Sequence, residues 1–313
     1  MAVASLEQSL SSRATPLYAY HHIVHNSRVV ESFQRRGVVF VDSLDPIPEG
    51  STVVLSAHGV APHVLHKALS RNLEIIDTTC PLVTKVHLEA RRFASEAYSV
   101  VLIGHRGHDE VVGIEGEAPG LIQTIESPNE IDRLVIPDPD RVAVLTQTTL
   151  SIDETSAVIE ALRSRFPKLR LPPKEDICYA TQNRQEALRA ILKECQIAIV
   201  LGSASSSNSQ RLRELAEKVG VRSALVDQAS QIDLTWFLGV RSAALTAGAS
   251  VPEDLVEEIL HWLGERFALK IEEKVFKRET VNFLLPVSLL SSPIRPPEEL
   301  LEPLPRIARF VSR

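Results

Sequence analysis

The segment Ser99–Gly113 reads SVVLIGHRGHDEVVG, and its pattern predicts the fold of the chain. It opens with a short run of β-branched and aliphatic side chains, passes through a polar loop, and ends in the start of a helical pattern. Apolar runs of this kind that lead into a helix are typical of strands in a parallel sheet covered by helices.

The same order of strand, polar loop and helix occurs twice more along the chain. PLYAYHHIVHNSRVV begins at Pro16, and IAIVLGSASSSNSQRL begins at Ile197. Each copy is followed by a second strand that ends in turn residues and by a third strand that ends in small polar residues. The second strands begin at Val38, Leu121 and Arg222, and the third strands at Thr52, Arg141 and Arg241. Three such copies predict three small α/β domains.

The repeats predict the domain boundaries. We expect the first α/β repeat at 1–79, lacking its opening segment, the second at 80–176 and the third at 177–268. Residues 269–313 are rich in proline and lie outside the repeats, so we expect a strand or packing arm followed by a poorly ordered tail.

Composition excludes several classes of protein. The chain has 313 residues, of which 44% are hydrophobic and 24% charged, so wholesale disorder is excluded. The net charge of −6 argues against a nucleic-acid binder, since such proteins carry a basic surface. Three cysteines and the lack of any long apolar run exclude a disulfide scaffold and a membrane protein. The first residues lack the pattern of a secretory signal, and we predict a cytoplasmic location.

Unusual polar residues follow the strands of the repeats, and ligands bind at this end of the strands in parallel sheets. The residues are His25, His58, His108, Thr148, Asn208 and Ser250. Any single one of them can be explained as a helix cap, whereas the whole set favours a binding site.

Two cysteines occupy equivalent positions at the start of helical patterns. Cys80 precedes the strand near Val100 by about 20 residues, and Cys178 precedes Ile197 by 19. A helix N-terminus lowers the pKa of a thiol and favours the thiolate that binds metal. The alternative is a pair of buried structural cysteines.

In the first repeat, the position equivalent to Cys80 and Cys178 falls a few residues before Met1. The helix expected to follow it is present as AVASLEQSLSSRA. Cys195 lies between a helix and a strand, where we expect a small buried hydrophobic residue without a functional role.

At this point several long motifs carry a family resemblance. They are HIVHNSRVVESFQRRG, SAHGV, DTTCPLVTKVH, GHRGHDEVVG, LTQTTLS, DICYATQNRQEA, SSSNSQRL and TAGAS. In this order, from about Pro16 to Glu265, they strongly resemble the 4-hydroxy-3-methylbut-2-enyl diphosphate reductase family, iron-sulfur enzymes that end the non-mevalonate isoprenoid pathway. The resemblance implies a trefoil of three α/β domains with parallel-type sheets around a central cluster and substrate pocket.

The resemblance also implies the chemistry. It predicts reductive dehydroxylation of 4-hydroxy-3-methylbut-2-enyl diphosphate to isopentenyl diphosphate and dimethylallyl diphosphate on a [4Fe-4S] cluster. Cys80 and Cys178 match two of the family's three cluster ligands. The family's first ligand lies in a Gly-Phe-Cys-type segment, which this sequence does not contain.

Site residues are implied by the same motifs. Glu110 matches the family's proton donor, and Thr148 matches a hydroxyl near the substrate alcohol. For Glu110, the alternative is a first-turn glutamate that favours the helix dipole. The residues that match the diphosphate-binding set are His25, His58, His108, Ser206, Ser207, Asn208 and Ser250.

Other ligands and partners are constrained less strongly. Neither a GxxxxGK[ST] nor a GxGxxG motif follows a strand, so we expect electrons from a protein donor, which the resemblance implies is ferredoxin or flavodoxin. We expect His63 and His66 to lie on the surface. His105 and His108 have the i, i+3 spacing of a possible metal-binding pair, but no HExxH motif supports a zinc site. The competing hypothesis is a paralogue without a cluster that binds or senses an isoprenoid diphosphate without turnover.

Overall fold

The computed structural model describes residues 1–277, 281, 283–290 and 308–312. Within these residues, the predicted alternation of strands and helices is observed. The strands are β1 Leu17–Tyr20, β2 Val38–Val41, β3 Thr52–Leu55, β4 Glu74–Asp77, β5 Ser99–Ile103, β6 Ile122–Ile125, β7 Val142–Thr146, β8 Ile197–Leu201, β9 Arg222–Val226, β10 Ser242–Ala247, β11 Leu269–Glu273 and β12 Ala308–Ser312. The α-helices are α1 Ala2–Ser12, α2 Ser27–Arg35, α3 Pro62–Ser70, α4 Pro81–Ser95, α5 Asp109–Glu115, α6 Ile152–Arg165, α7 Tyr179–Leu192, α8 Ser207–Lys218, α9 Glu253–Gly264 and α10 Val287–Leu290.

The strands form three sheets with one shared order. The first sheet runs β2-β1-β3-β4 and the second β6-β5-β7, and all their pairings are parallel. The third contains the parallel set β9-β8-β10. In every sheet the opening strand of the repeat therefore lies between its second and third strands. This order confirms the predicted α/β fold of three repeats with parallel-type sheets.

The opening and third strands of the second and third repeats are buried over nearly their full length. β7 and β8 have no exposed residue, and β5 is buried from its second residue onward. Helices cover both faces of such strands, and this burial explains why they are continuous apolar runs rather than alternating ones. The loops that leave these strands are thereby anchored on a rigid support.

The third sheet is extended by the end of the chain. β12 pairs antiparallel with both β10 and β11. The predicted strand after residue 268 is present as β11, but residues 308–312 form a strand where the sequence predicts a poorly ordered tail. The remaining part of the predicted tail lies outside the described residues.

The chain divides into two compact units. Unit 1 comprises Met1–Val24 and Ser32–Cys178 with the described part of Phe283–Pro296, and it holds the first two sheets. Unit 2 comprises His25–Glu31 and Tyr179–Asn282 with the described part of Pro297–Arg313, and it holds the third sheet. Among the described residues, no helix has the length and apolar character needed to cross a membrane.

Candidate active site

In unit 1, Glu110 and Thr148 form a buried hydrogen-bonded pair. Glu110 lies in the first turn of α5 and is 1% exposed, and Thr148 follows β7 and is 4% exposed. The Thr148 backbone N–H donates to Glu110 Oε1 at 2.7 Å, and its hydroxyl lies 3.1 Å from Oε2. Both residues were predicted from separate motifs, and the ends of the adjacent strands β5 and β7 bring them together.

The environment of Glu110 keeps a proton on its carboxyl group near neutral pH. Burial raises the pKa of Glu110 to about 7, although the two hydrogen bonds from Thr148 act in the opposite direction. A helix-dipole role would instead favour the ionised form and a low pKa. The geometry therefore equips Glu110 to act as a general acid.

His108 has a structural role that was not predicted. It is the N-cap of α5, and its Nδ1 accepts the backbone N–H of Glu110 at 3.2 Å. An accepting Nδ1 places the proton of a neutral imidazole on Nε2, which makes Nε2 a donor. The His58 ring meets the His108 ring edge to face, with centroids 5.5 Å apart. Two of the predicted anion-binding histidines of unit 1 are thus neighbours.

Asp109 connects another histidine to this group. His21 Nδ1 lies 2.6 Å from Asp109 Oδ1, and His58 Nδ1 lies 3.9 Å from Asp109 Oδ2. The hydrogen bond to Asp109 raises the pKa of His21, although burial of the ring acts in the opposite direction. His21 also has a left-handed backbone, with φ of 58°, which is uncommon for a residue other than glycine. Neither His21 nor Asp109 is among the predicted site residues, although His21 directly precedes one of the motifs and Asp109 lies within another.

Cys80 lies where the helical pattern predicts, at the N-cap of α4. Its backbone N–H donates to Ala57 O at 3.0 Å, which ties it to the loop that carries His58. The expected low pKa is wrong for this thiol. Burial raises the pKa of Cys80 above its ordinary value, and the helix N–H groups of Leu82 and Val83 offset this only in part.

Cys178 is fixed through the loop after β7. Its backbone N–H donates to Thr148 O at 3.0 Å, so a backbone hydrogen bond connects Cys178 directly to the Glu110–Thr148 pair. Cys80 and Cys178 are both free thiols of intermediate burial. Two soft sulfur donors in unit 1 can ligate iron or another thiophilic metal.

A buried ion pair links the two cysteine-bearing segments. Lys85 on α4 donates to Asp176 Oδ1 at 2.9 Å and to the carbonyl oxygens of Lys174 and Glu175. Asp176 Oδ2 accepts the backbone N–H of Thr146 at 3.0 Å. Burial raises the pKa of Asp176, and the Lys85 ammonium opposes this rise. Neither Lys85 nor Asp176 is among the predicted site residues.

In unit 2, the N-terminus of α8 carries the predicted Ser206, Ser207 and Asn208. Ser206 is the N-cap, and its hydroxyl accepts the N–H of Ser209. Asn208 is 4% exposed, and neither atom of its side-chain amide has a hydrogen-bond partner among the described residues. A buried amide without a partner is costly, and an anion at the helix N-terminus would accept a hydrogen bond from its Nδ2–H.

Unit 2 also contains Ser250, in the loop after β10, and His25, in the segment before α2. The hydroxyl of Ser250 donates to the backbone oxygen of His25 at 3.3 Å. Two glycines allow close packing around α8: a Cβ at Gly202 or Gly248 would lie 2.1 Å from Ser209 Oγ. Backbone therefore approaches the start of α8 at a distance that no other residue type permits.

The remaining predictions concern residues without a functional role. Cys195 is 8% exposed and packs within the core of unit 2, where its Sγ lies 3.6 Å from Ser242 Oγ. His63 and His66 are exposed on α3, as predicted. We therefore assign no functional role to Cys195, His63 or His66.

Comparisons with known proteins identify the family of the chain. The family model described as LytB protein matches residues 1–264. A 4-hydroxy-3-methylbut-2-enyl diphosphate reductase from Rhodopirellula baltica is 48% identical over 92% of this chain and 91% of its own length. A reductase of the same name from Nocardia farcinica is 50% identical over 92% of this chain and 86% of its own length.

A solved structure extends the likeness to three dimensions. The E-1-hydroxy-2-methyl-but-2-enyl-4-diphosphate reductase from Plasmodium falciparum superposes with a TM-score of 0.87 at 32% identity and covers 92% of both chains. A family match over most of the sequence, close relatives over nearly the full length and a shared fold lead to one assignment. The chain belongs to the LytB protein family.

Proposed function

We propose that the chain is a 4-hydroxy-3-methylbut-2-enyl diphosphate reductase, which removes the allylic hydroxyl and yields isopentenyl diphosphate and dimethylallyl diphosphate. The observation that carries this proposal is the buried Glu110–Thr148 pair, in which the pKa of Glu110 is raised to about 7. An enzyme that expels hydroxide as water needs an acid that still holds its proton near neutral pH.

The reaction consumes two electrons and two protons. The C–O bond breaks, one proton leaves with the oxygen as water, and the second proton forms a C–H bond on the allyl carbon. Glu110 provides the first proton, and the Thr148 hydroxyl, 3.1 Å from Glu110 Oε2, can pass it on to the substrate oxygen. Burial excludes water from this pair, so the proton is delivered rather than lost to solvent.

The residues present fit two thiolate positions of an iron-sulfur cluster. Neither cysteine is in a disulfide; the Cys178 backbone N–H donates to Thr148 O, and that of Cys80 donates to Ala57 O beside His58. A [4Fe-4S] cluster held there would supply the electrons one at a time and bind the substrate oxygen as a Lewis acid. Cys195 does not fit a third position, because it is buried against Ser242 in unit 2.

The diphosphate is bound by uncharged and imidazole donors. In unit 1, we assign this role to His58 and His108, whose rings meet edge to face, and in a neutral His108 ring the proton lies on Nε2 because Nδ1 accepts the Glu110 N–H. In unit 2, the candidates lie at and near the start of α8, and the unpartnered amide of Asn208 supports the choice. The unit 2 residues are His25, Ser206, Ser207, Asn208 and Ser250. Helix N-termini combined with such donors bind phosphate groups without lysine or arginine.

The electrons come from a protein that carries one electron at a time, such as ferredoxin or flavodoxin. Three free cysteines suit a reducing compartment, and we propose the cytoplasm. A diphosphate sensor without turnover would have no need for a protonated glutamate beside a hydroxyl, so the Glu110–Thr148 pair favours the enzyme.

The test is turnover after anaerobic reconstitution with iron and sulfide, with a chemically reduced one-electron donor. Glu110→Gln keeps the size and hydrogen-bonding capacity of the side chain but cannot deliver the proton. We expect the rate to fall about 10²- to 10⁴-fold. Glu115→Gln, on the same helix, is the control and should stay near the parent rate. Near-normal turnover of Glu110→Gln would show that the proton comes from elsewhere.

A further inference from the structure

His87 is a buried histidine of unit 1 that the proposed chemistry does not use. It lies on α4 and is 5% exposed. Its Nδ1 lies 2.6 Å from Glu117 Oε1, and Glu117 Oε2 is paired with Arg91 Nε at 3.1 Å. The carboxylate fixes the orientation of the ring, and the half-exposed Arg91 lies at ion-pair distance from the carboxylate.

The other edge of the ring occupies space that two glycines leave open. A Cβ at Gly59 would lie 2.7 Å from His87 Nε2, and a Cβ at Gly113 would lie 3.2 Å from His87 Cε1. Nε2 has no hydrogen-bond partner among the described residues. The ring is therefore held between two backbones, at a distance that requires glycine at position 59 and leaves little room for a Cβ at position 113.

Each element that touches this ring carries a residue assigned to the site. Gly59 follows His58, Gly113 lies one helical turn after Glu110, and α4 begins directly after Cys80. We propose that His87, oriented by Glu117, is a positioning residue that sets the spacing of these three elements and thereby the places of His58, Cys80 and Glu110. This inference rests on the proposed function only for the roles of those three residues.

Space filling alone does not account for the arrangement. An aliphatic side chain could occupy the same volume, but it could not be oriented by Glu117, whose carboxylate is itself buried. Leaving that carboxylate without its imidazole partner is costly, so the ring and Glu117 depend on each other. A leucine at this position therefore separates the two explanations.

The first test is a double-mutant cycle on stability. In the parent background, Gly113→Ala should lower the urea midpoint because the new methyl group presses on the ring. In the His87→Ala background the same substitution should raise the midpoint, because the methyl group enters a vacated space and alanine favours the helix. Gly264→Ala on α9, where a Cβ would meet nothing within 4 Å, is the control and should have one sign in both backgrounds.

The second test measures the site itself in two ways that need no turnover. His87→Leu should weaken binding of inorganic pyrophosphate about fivefold or more by calorimetry, because small misplacements of binding groups are costly. It should also change the rate at which iodoacetamide alkylates Cys80, while the rate at Cys195 in unit 2 stays constant. Gly113→Ala should restore part of the pyrophosphate affinity in the His87→Ala background.

Two results would overturn the inference. One is a Gly113→Ala effect of the same sign in both backgrounds, as for Gly264→Ala. The other is a folded His87→Leu variant with parent values for both pyrophosphate affinity and Cys80 alkylation. If the parent protein itself fails to bind pyrophosphate, the proposed function loses its anion site, while the stability cycle and the alkylation rate still decide on His87.

Discussion

Glu110 links the stability of unit 1 to pH. Its pKa is raised by burial from 4.5 to about 7, so the folded state binds a proton that the unfolded chain releases more readily. The resulting stability is fully present below pH 4.5 and is lost as the pH rises through about 7. A shift of this size corresponds to about 3 kcal/mol.

We therefore expect Glu110→Gln to become more stable relative to the parent as the pH rises from 5 to 8, by about 3 kcal/mol. Urea unfolding of the metal-free protein at both pH values measures this difference. Glu257→Gln, at an exposed position on α9, is the control and should show a difference close to zero. A parent protein whose stability changes with pH in the same way as that of Glu110→Gln would contradict the assignment.

Asn208 gives a second prediction for a single residue. Its amide is buried without a partner among the described residues, and we assign it to the diphosphate. Asn208→Ala should weaken pyrophosphate binding by roughly 1 to 3 kcal/mol, or roughly 5- to 150-fold, as measured by calorimetry. Asn129→Ala, at an exposed position in unit 1, should leave the affinity unchanged. An unaltered dissociation constant for Asn208→Ala would remove this amide from the site.

Between elements, the Lys85–Asp176 pair holds α4 to the segment before Cys178. Lys85→Met leaves the Asp176 carboxylate, whose side chain is fully buried, without its cation. We expect a loss of about 3 kcal/mol in unfolding free energy, at the low end for a broken buried pair because Lys85 is partly exposed. Adding Asp176→Asn to this variant should recover part of the loss.

The surface pair Lys67–Asp45 provides the matched control. Its atoms are 2.7 Å apart, but both side chains are largely exposed. Lys67→Met should change the unfolding free energy by less than about 1 kcal/mol. Equal effects of Lys85→Met and Lys67→Met would show that burial of the first pair contributes nothing to stability.

The sequence predicted the positions of strands and helices better than it predicted which strands pair with each other. The opening strands, exemplified by β5 and β8, were recognisable because burial on both faces leaves continuous apolar runs. β12 was missed because its short segment acquires strand structure only by pairing with β10 and β11, far away along the chain. Local composition does not report such pairings.

The site residues differ in the same way, because local motifs could be recognised in the sequence and contacts between distant elements could not. Glu110 and Thr148 could be predicted because they follow strands within distinctive motifs, and their side chains meet in the structure. His21, His87 and Asp176 were missed because each owes its role to a partner on another element. The expected low pKa of Cys80 failed for a related reason, since its position at a helix start is visible in the sequence but its burial is not.

For the whole molecule, the division into two units has a consequence for unfolding. Each unit contains its own clusters of buried apolar side chains, built on the second sheet in unit 1 and on the third sheet in unit 2. Both tryptophans of the chain, Trp236 and Trp262, lie in unit 2 and pack against its core. Tryptophan fluorescence therefore reports on unit 2, whereas far-ultraviolet circular dichroism reports on both units.

We expect a substitution in one unit to move the two signals differently, because separate cores allow separate transitions. Lys85→Met in unit 1 should shift the part of the dichroism change that comes from unit 1 to a lower urea concentration. The midpoint of the fluorescence change, which reports on unit 2, should stay nearly constant. Leu245→Ala, at a fully buried position in the unit 2 core, should do the reverse and lower the fluorescence midpoint. If either variant shifts both signals equally, the two units unfold as one cooperative body.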